Sequence, residues 1–288
     1  MQAIIFALIS FIGWGAGDIF GTIAARKIGG LQTSFWYVLL QGAIFGIVGL
    51  FFLDNLKNIT LGLFLFNILL GILGTIGVIA LYEGLKIGNA SLVVSISTSF
   101  TAITTILSII FLGETLNIFQ AVSVIVIFTG ITISTLELKE LKKGRVTLSR
   151  EILLGIIAML TWGFYWAFIK IPIKEIGWAW PSFIACLSLP IIPLFARARK
   201  IKLGIVEGFK KARTTLILQA TIMSAAALCF NIAISLGKTS IVAPITGSYP
   251  ILFVMLAAIF FKDPIKKQQI VGITTTLIGI AALSFASA

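Results

Sequence analysis

Apolar residues run along this chain in long unbroken stretches, and polar residues gather into short intervals between them. A helix needs roughly 20 mainly apolar residues to cross a bilayer. Ten stretches reach that length: 3–23, 34–53, 61–81, 91–112, 118–136, 152–171, 179–196, 214–236, 241–261 and 268–286. The seventh carries Pro181, Pro190 and Pro193, so it is expected to be kinked or short. The long intervals are "ELKELKKGRVTLSRE" and "RARKIKLGIVEGFKKARTT", and neither makes a water-soluble domain of useful size. The pattern predicts an all-α, polytopic membrane protein of ten transmembrane helices.

The pattern also repeats. "FIGWGAGDIFGTIAARKIG" in the first span resembles "MLTWGFYWAFIKIPIKEIG" in the sixth, with Trp14-Gly15 on Trp162-Gly163. "GNASLVVSISTSFTAITTILSIIFLGETLNIFQAV" matches "GKTSIVAPITGSYPILFVMLAAIFFKDPIKKQQIV" without a gap, pairing Ser91 with Ser240, Ser99 with Ser248 and Gln120 with Gln269. The unit is five helices, an odd number, so its second copy enters the membrane upside down. Two inverted five-helix repeats follow, residues 1–137 and 152–288, joined by a basic linker at 138–151. In proteins built this way, transporters place their site near the midplane, where the halves meet.

Composition agrees with the pattern. The chain is 59% hydrophobic and 11% charged, where a soluble domain is about a quarter charged. Eighteen of the 22 Lys and Arg fall in alternate loops, and Lys57, Lys170, Lys174 and Lys238 lie on the other side. Positive charge marks the cytoplasmic face, which puts both termini outside a cytoplasmic membrane. Basic residues spread through such loops anchor a membrane protein and do not form a nucleic-acid site. The opening "MQAIIFALISF" has no positively charged leader region and reads as the first span.

Histidine is missing, and Cys186 and Cys229 read as small buried hydrophobes. The sequence contains no phosphate-binding Gly-rich loop with Lys, no paired catalytic carboxylates and no metal-ligand cluster. Neither an enzyme nor a bound metal or cofactor is expected.

The early "WG" of each half, together with "SLVVSISTSFTAITTILSIIFLGETLN" ending in Gly113-Glu114, resembles the drug/metabolite transporter superfamily, and within it the ten-helix EamA-type permeases. The resemblance implies a basket of helices around a central path, with spans 1, 3, 4, 6, 8 and 9 nearest it and spans 5 and 10 peripheral. It also implies movement of small organic solutes, often as export of metabolites or amino acids. The chain departs from the family in carrying Lys262-Asp263 where Gly-Glu is preferred. Many ten-helix relatives keep both termini inside, opposite to the charge count.

Several residues are candidates for a solute site. Asp18 is an ionisable group inside a span, which marks function by default. It lies roughly 7 Å past the middle of its helix toward the basic side. Lys170 falls about 13 Å beyond the middle of span 6 on the other side, too far to pair with it, and reads as snorkelling to the interface. A carboxyl that changes protonation beside a cavity suits proton coupling or a cationic solute. Alternatively, Asp18 stays neutral and hydrogen-bonds span 4 at Ser95, Ser97 or Ser99.

Trp14, Trp162 and Trp166 suit an aromatic cavity wall. The other candidate contacts are Ser95, Ser99, Asn231, Ser248 and Tyr249, each with a packing alternative. Pro244, Gly247 and Pro250 in "APITGSYPIL" are expected to bend span 9 into a hinge. Gly13, Gly17 and Gly21 recur every four residues and read as a helix-packing stripe. The whole predicts a secondary carrier of small organic solutes in a lipid bilayer, with protons as a possible partner. The alternatives are a cationic-drug/proton antiporter and a membrane binding or scaffold protein that moves nothing.

Overall fold

A computed structural model describes residues 1–87, 90–135, 149–260 and 267–287. Lys262-Asp263 and most of the 138–151 linker lie outside the described residues. All secondary structure among the described residues is helical. With hydrocarbon as the solvent, each backbone amide and carbonyl has to find its partner within the chain, and the helix achieves this segment by segment. Nine of these helical segments are long and apolar enough to cross a bilayer, and Ile118–Ser134 is a tenth, shorter one.

The first repeat contains α1 (Gln2–Ile28), α2 (Gly30–Gly49) followed by a 3-10 stretch (Leu50–Asn58), and α3 (Leu61–Ile87). Its fourth span is broken into α4 (Ala90–Thr98) and α5 (Phe100–Leu112), and α6 (Ile118–Thr135) closes the repeat. In the second repeat the sixth span is α7 (Arg150–Phe168) continued by α8 (Lys170–Ile176). The seventh is α9 (Trp180–Cys186) and α10 (Ile191–Ala198), kinked between them as its prolines predict. Then come α11 (Ile205–Leu236), the ninth span as α12 (Thr239–Thr246) and α13 (Pro250–Phe260), and α14 (Lys267–Phe285).

Small residues draw the spans together. Along α1 the glycine stripe seats α11: a Cβ on Gly13 would stand 2.7 Å from that of Ala226, and one on Gly17 would collide with Met223. Gly21 continues the stripe, where a Cβ would come within 2.8 Å of the Tyr82 ring. Packing is therefore the use of this spacing.

The two broken spans share a design. Ser99 and Ser248, partners in the repeat, both sit at a break. At Ser248 the backbone N–H bonds Ile245 O at 3.3 Å, one residue short of a regular α-turn. The hydroxyl then donates to the Pro244 carbonyl at 2.7 Å and satisfies the group the break released. Span 4 breaks without a proline, while Ser97 and Thr98 donate to Val94 O and Thr101 to Thr98 O. A Cβ on Gly247 would collide with Thr101, so the two breaks lie directly against each other.

Spans 5 and 10 form a tight pair at the side. A Cβ on Gly130 would stand 2.6 Å from the Thr276 amide nitrogen, and one on Gly272 2.6 Å from Gly130 O. Gln120 at the start of α6 donates to Ala286 O at 3.2 Å, and Gln268 at the start of α14 donates to Ile133 O at 2.7 Å.

Candidate functional site

Where the halves meet lies a cavity of about 80 Å³. That is room for about two or three waters, at roughly 30 Å³ each. Trp14, Trp162, Trp166 and Tyr249 line it, together with Phe100, Tyr37 and Gln41. None of its lining residues is charged among those described.

Trp14 is the hub of the wall. Its ring centroid is 5.3 Å from Phe230, stacked, 5.1 Å from Trp166 and 5.8 Å from Tyr249. Phe100, the first residue after the span 4 break, meets Trp162 edge-on at 5.8 Å. The Trp162 indole N–H donates to Gly74 O at 3.1 Å, and Gly77 leaves no room for a Cβ beside it. Trp162 is therefore held in place by the backbone of α3 and the rest of the wall by ring contacts, and its faces are suited to rings, alkyl groups or cations.

Asp18 lies one turn beyond Trp14, fully buried and outside the cavity lining. Neither carboxyl oxygen has a hydrogen-bond partner among the described residues. The Tyr249 hydroxyl interacts with the carboxyl, though at a geometry short of a hydrogen bond. Tyr37 and Tyr82 complete its polar surroundings. Gln41 donates to the Tyr37 hydroxyl at 2.9 Å and Gln219 to the Tyr82 hydroxyl at 2.6 Å. Tyr249, which interacts with the carboxyl, also lines the cavity, as do Tyr37 and Gln41.

A second polar group closes the end of the molecule away from the basic loops. Gly113, at φ 66°, ends α5 in the left-handed conformation that glycine tolerates and turns the chain at Glu114. Lys170 donates to Glu114 Oε1 at 2.7 Å and to Gly237 O at 2.7 Å. The Thr239 amide donates to Oε1 at 2.8 Å and the Ser240 amide to Oε2 at 2.7 Å. Burial works to raise the Glu114 carboxyl, but Lys170 and these two amides outweigh it and hold the group below its ordinary value.

The structure thus brings Trp14, Trp162, Trp166 and Tyr249 to one cavity and sets Asp18 behind it. Ser99 marks the span 4 break, and Pro244, Gly247 and Pro250 surround that of span 9. Ser248 is buried, its hydroxyl bonded to the Pro244 carbonyl of its own span. Asn231 donates to Trp178 O at 2.9 Å and Ser182 Oγ at 2.7 Å, bracing span 7. The Ser95 side chain lies outside the described residues.

Two expectations change. Lys170 does not snorkel: it is 11% exposed and paired, because the turn at Gly113 carries Glu114 to it. Spans 2 and 7 also join the lining, through Tyr37, Gln41, Ser182 and Cys186. The sequence signal for the former was the polar pair Tyr37 and Gln41, spaced by four in an otherwise apolar run. Phe100 and Phe230 carried no such signal among 23 phenylalanines.

A profile of the EamA-like transporter family matches this chain twice, over residues 1–136 and 149–285. The chain belongs to that family, within the drug/metabolite transporter superfamily, and is a multi-pass membrane transporter. It is 35% identical over 136 residues to the uncharacterized protein MJ1333.1 of Methanocaldococcus jannaschii, a match covering 45% of this chain and 93% of that protein. A solved crystal structure shares the fold over 98% of this chain and 96% of its own, with a TM-score of 0.76 at 11% identity.

Proposed function

We propose that this protein is a secondary carrier that exports small organic metabolites across the cytoplasmic membrane by alternating access. The repeats, residues 1–137 and 152–288, are its two halves, and the basic loops with the 138–151 linker face the cytoplasm, leaving both termini outside. The observation that carries this reading is the uncharged, aromatic cavity between the halves, flanked by two spans broken at equivalent positions. At about 80 Å³ it offers too little space for a metabolite. Loading therefore requires the walls to part, and helices lacking continuous backbone bonds are where a bend costs least.

The lining favours a solute that is neutral or zwitterionic in the path, with an apolar part against Trp14 and Trp162; amino acids fit. A second reading, exchange of a lipophilic cation for protons, is favoured by the unpartnered Asp18 carboxyl behind the aromatic wall. The test is uptake of labelled amino acids, nucleosides, sugars and cationic dyes into proteoliposomes, with and without a pH gradient. Movement of amino acids irrespective of the gradient supports the first reading, and gradient-driven dye movement the second. Saturable binding without movement of any of them overturns both.

A further inference from the structure

The first turn of α12 is built to receive a carboxylate. Two backbone amides and the Lys170 ammonium converge on the two oxygens of Glu114, within 2.7–2.8 Å. Thr239 Oγ1 and Ser240 Oγ, in the same turn, are buried with no hydrogen-bond partner among the described residues, and both residues are 0% exposed. The half-helix N-terminus adds its own partial positive charge. Glu114 comes from the first repeat, whereas every group that holds it comes from the second.

Opening the cavity at this end separates those two sets. Glu114 then leaves two amides and an ammonium without an anion, an unpaired arrangement that is costly away from water. Trp166, which lines the cavity, precedes Lys170 by four residues, about 6 Å along the helix. The Lys170 end of this turn therefore lies about one helical turn from the cavity wall.

We propose that the N-terminus of α12 together with Lys170 is a subsite for the carboxylate of the transported solute, held in the closed protein by Glu114 as a tethered stand-in. The solute's carboxylate takes the place of Glu114 as this end opens, so that opening is favoured with cargo aboard and disfavoured without it. The inference rests on the carrier reading above and narrows its solutes to those bearing a carboxylate. The site is one-sided: in the repeat, Lys170 falls on Thr22, which has no charge.

Acetate is a suitable probe. In purified full-length Glu114→Ala, sodium acetate is expected to raise the melting temperature in proportion to the logarithm of its concentration, as for a ligand of the folded state. Sodium chloride at equal ionic strength should not do so, nor should acetate act on wild type or on Glu114→Ala/Lys170→Met. A folded Glu114→Ala protein that responds equally to acetate and chloride overturns the subsite. Should that variant fail to fold, Glu114→Gln serves instead, read by hydrogen exchange. The Thr239 and Ser240 amides should exchange about tenfold faster than in wild type, the weight of one charge-assisted bond; unchanged exchange overturns the proposal.

These readouts do not require transport, so they stand apart from the proteoliposome screen. For a transported carboxylate found there, the neutral amide analogue should move about tenfold more slowly, and Lys170→Met should abolish that difference. Equal rates in wild type overturn the subsite and leave the carrier intact.

Discussion

Glu114 and Asp18 are both carboxylates shut away from water, at 8% and 0% exposure, yet their surroundings differ in kind. Glu114 has an ammonium and two amides on its oxygens, all drawn from the opposite repeat. Asp18 has tyrosines around it, Tyr249 nearest, and among the described residues a hydrogen bond to neither oxygen. A buried ion with all its partners in place acts as a fastening, and what it fastens here is one end of one half to the other. A buried carboxyl whose neighbours are neutral tyrosines is suited to a partner that comes and goes, such as a proton or a cation. The contrast separates a group tied to the opposite repeat from a group that no ammonium or amide among the described residues ties down.

Lys170→Met tests the fastening most severely. Removing one member of a buried pair costs about 3 kcal/mol, which should appear in denaturant unfolding of the detergent-solubilised protein. A loss below about 1 kcal/mol, the scale of an exposed pair, would remove the distinction between the two carboxylates. Gly17→Ala comes next, crowding the neighbour of Asp18 against Met223 without touching its charge; it should cost about 1 kcal/mol, because methionine yields. Asp18→Asn should change stability by less, since no hydrogen bond is lost. Its signature is expected instead in transport, where the pH dependence flattens; an unchanged rate across a pH series takes Asp18 out of the mechanism.

The smallest expected effect is acid sensitivity. Glu114 is held below its ordinary value of 4.5, so between the folded and unfolded values the unfolded chain binds more protons. Its contribution to stability is complete above about 4.5 and is lost as pH falls through the lower, folded value. Melting curves across that acid range should show this component in wild type and not in Glu114→Gln.

How much of this was legible in the sequence depended on the distance over which each feature is determined. The spans were readable because apolar length is local, and the bend of span 9 because prolines announce it. The equivalent break at Ser99 carries no proline and showed itself only as a hydroxyl-rich run. Asp18 stood out as a charge in an apolar helix, but its surroundings come from Tyr37, Tyr82 and Tyr249, on three other spans. Lys170 was misjudged from its depth alone: its partner is reached through the reversal at Gly113, a geometry that spacing along one helix does not reveal.

The side pair of α6 and α14 is bonded from both ends: Gln120 of α6 reaches the end of α14, and Gln268 of α14 reaches the last turn of α6, with Gly130 and Gly272 in close contact between them. An interface bonded from both ends resembles the kind two identical subunits form about a twofold axis. Inside a single polypeptide it means that the seam joining these helices is held by bonds that do not run through the chain connecting them. A version severed in the 138–151 linker would retain each of these bonds, and its two fragments would have reason to find each other again.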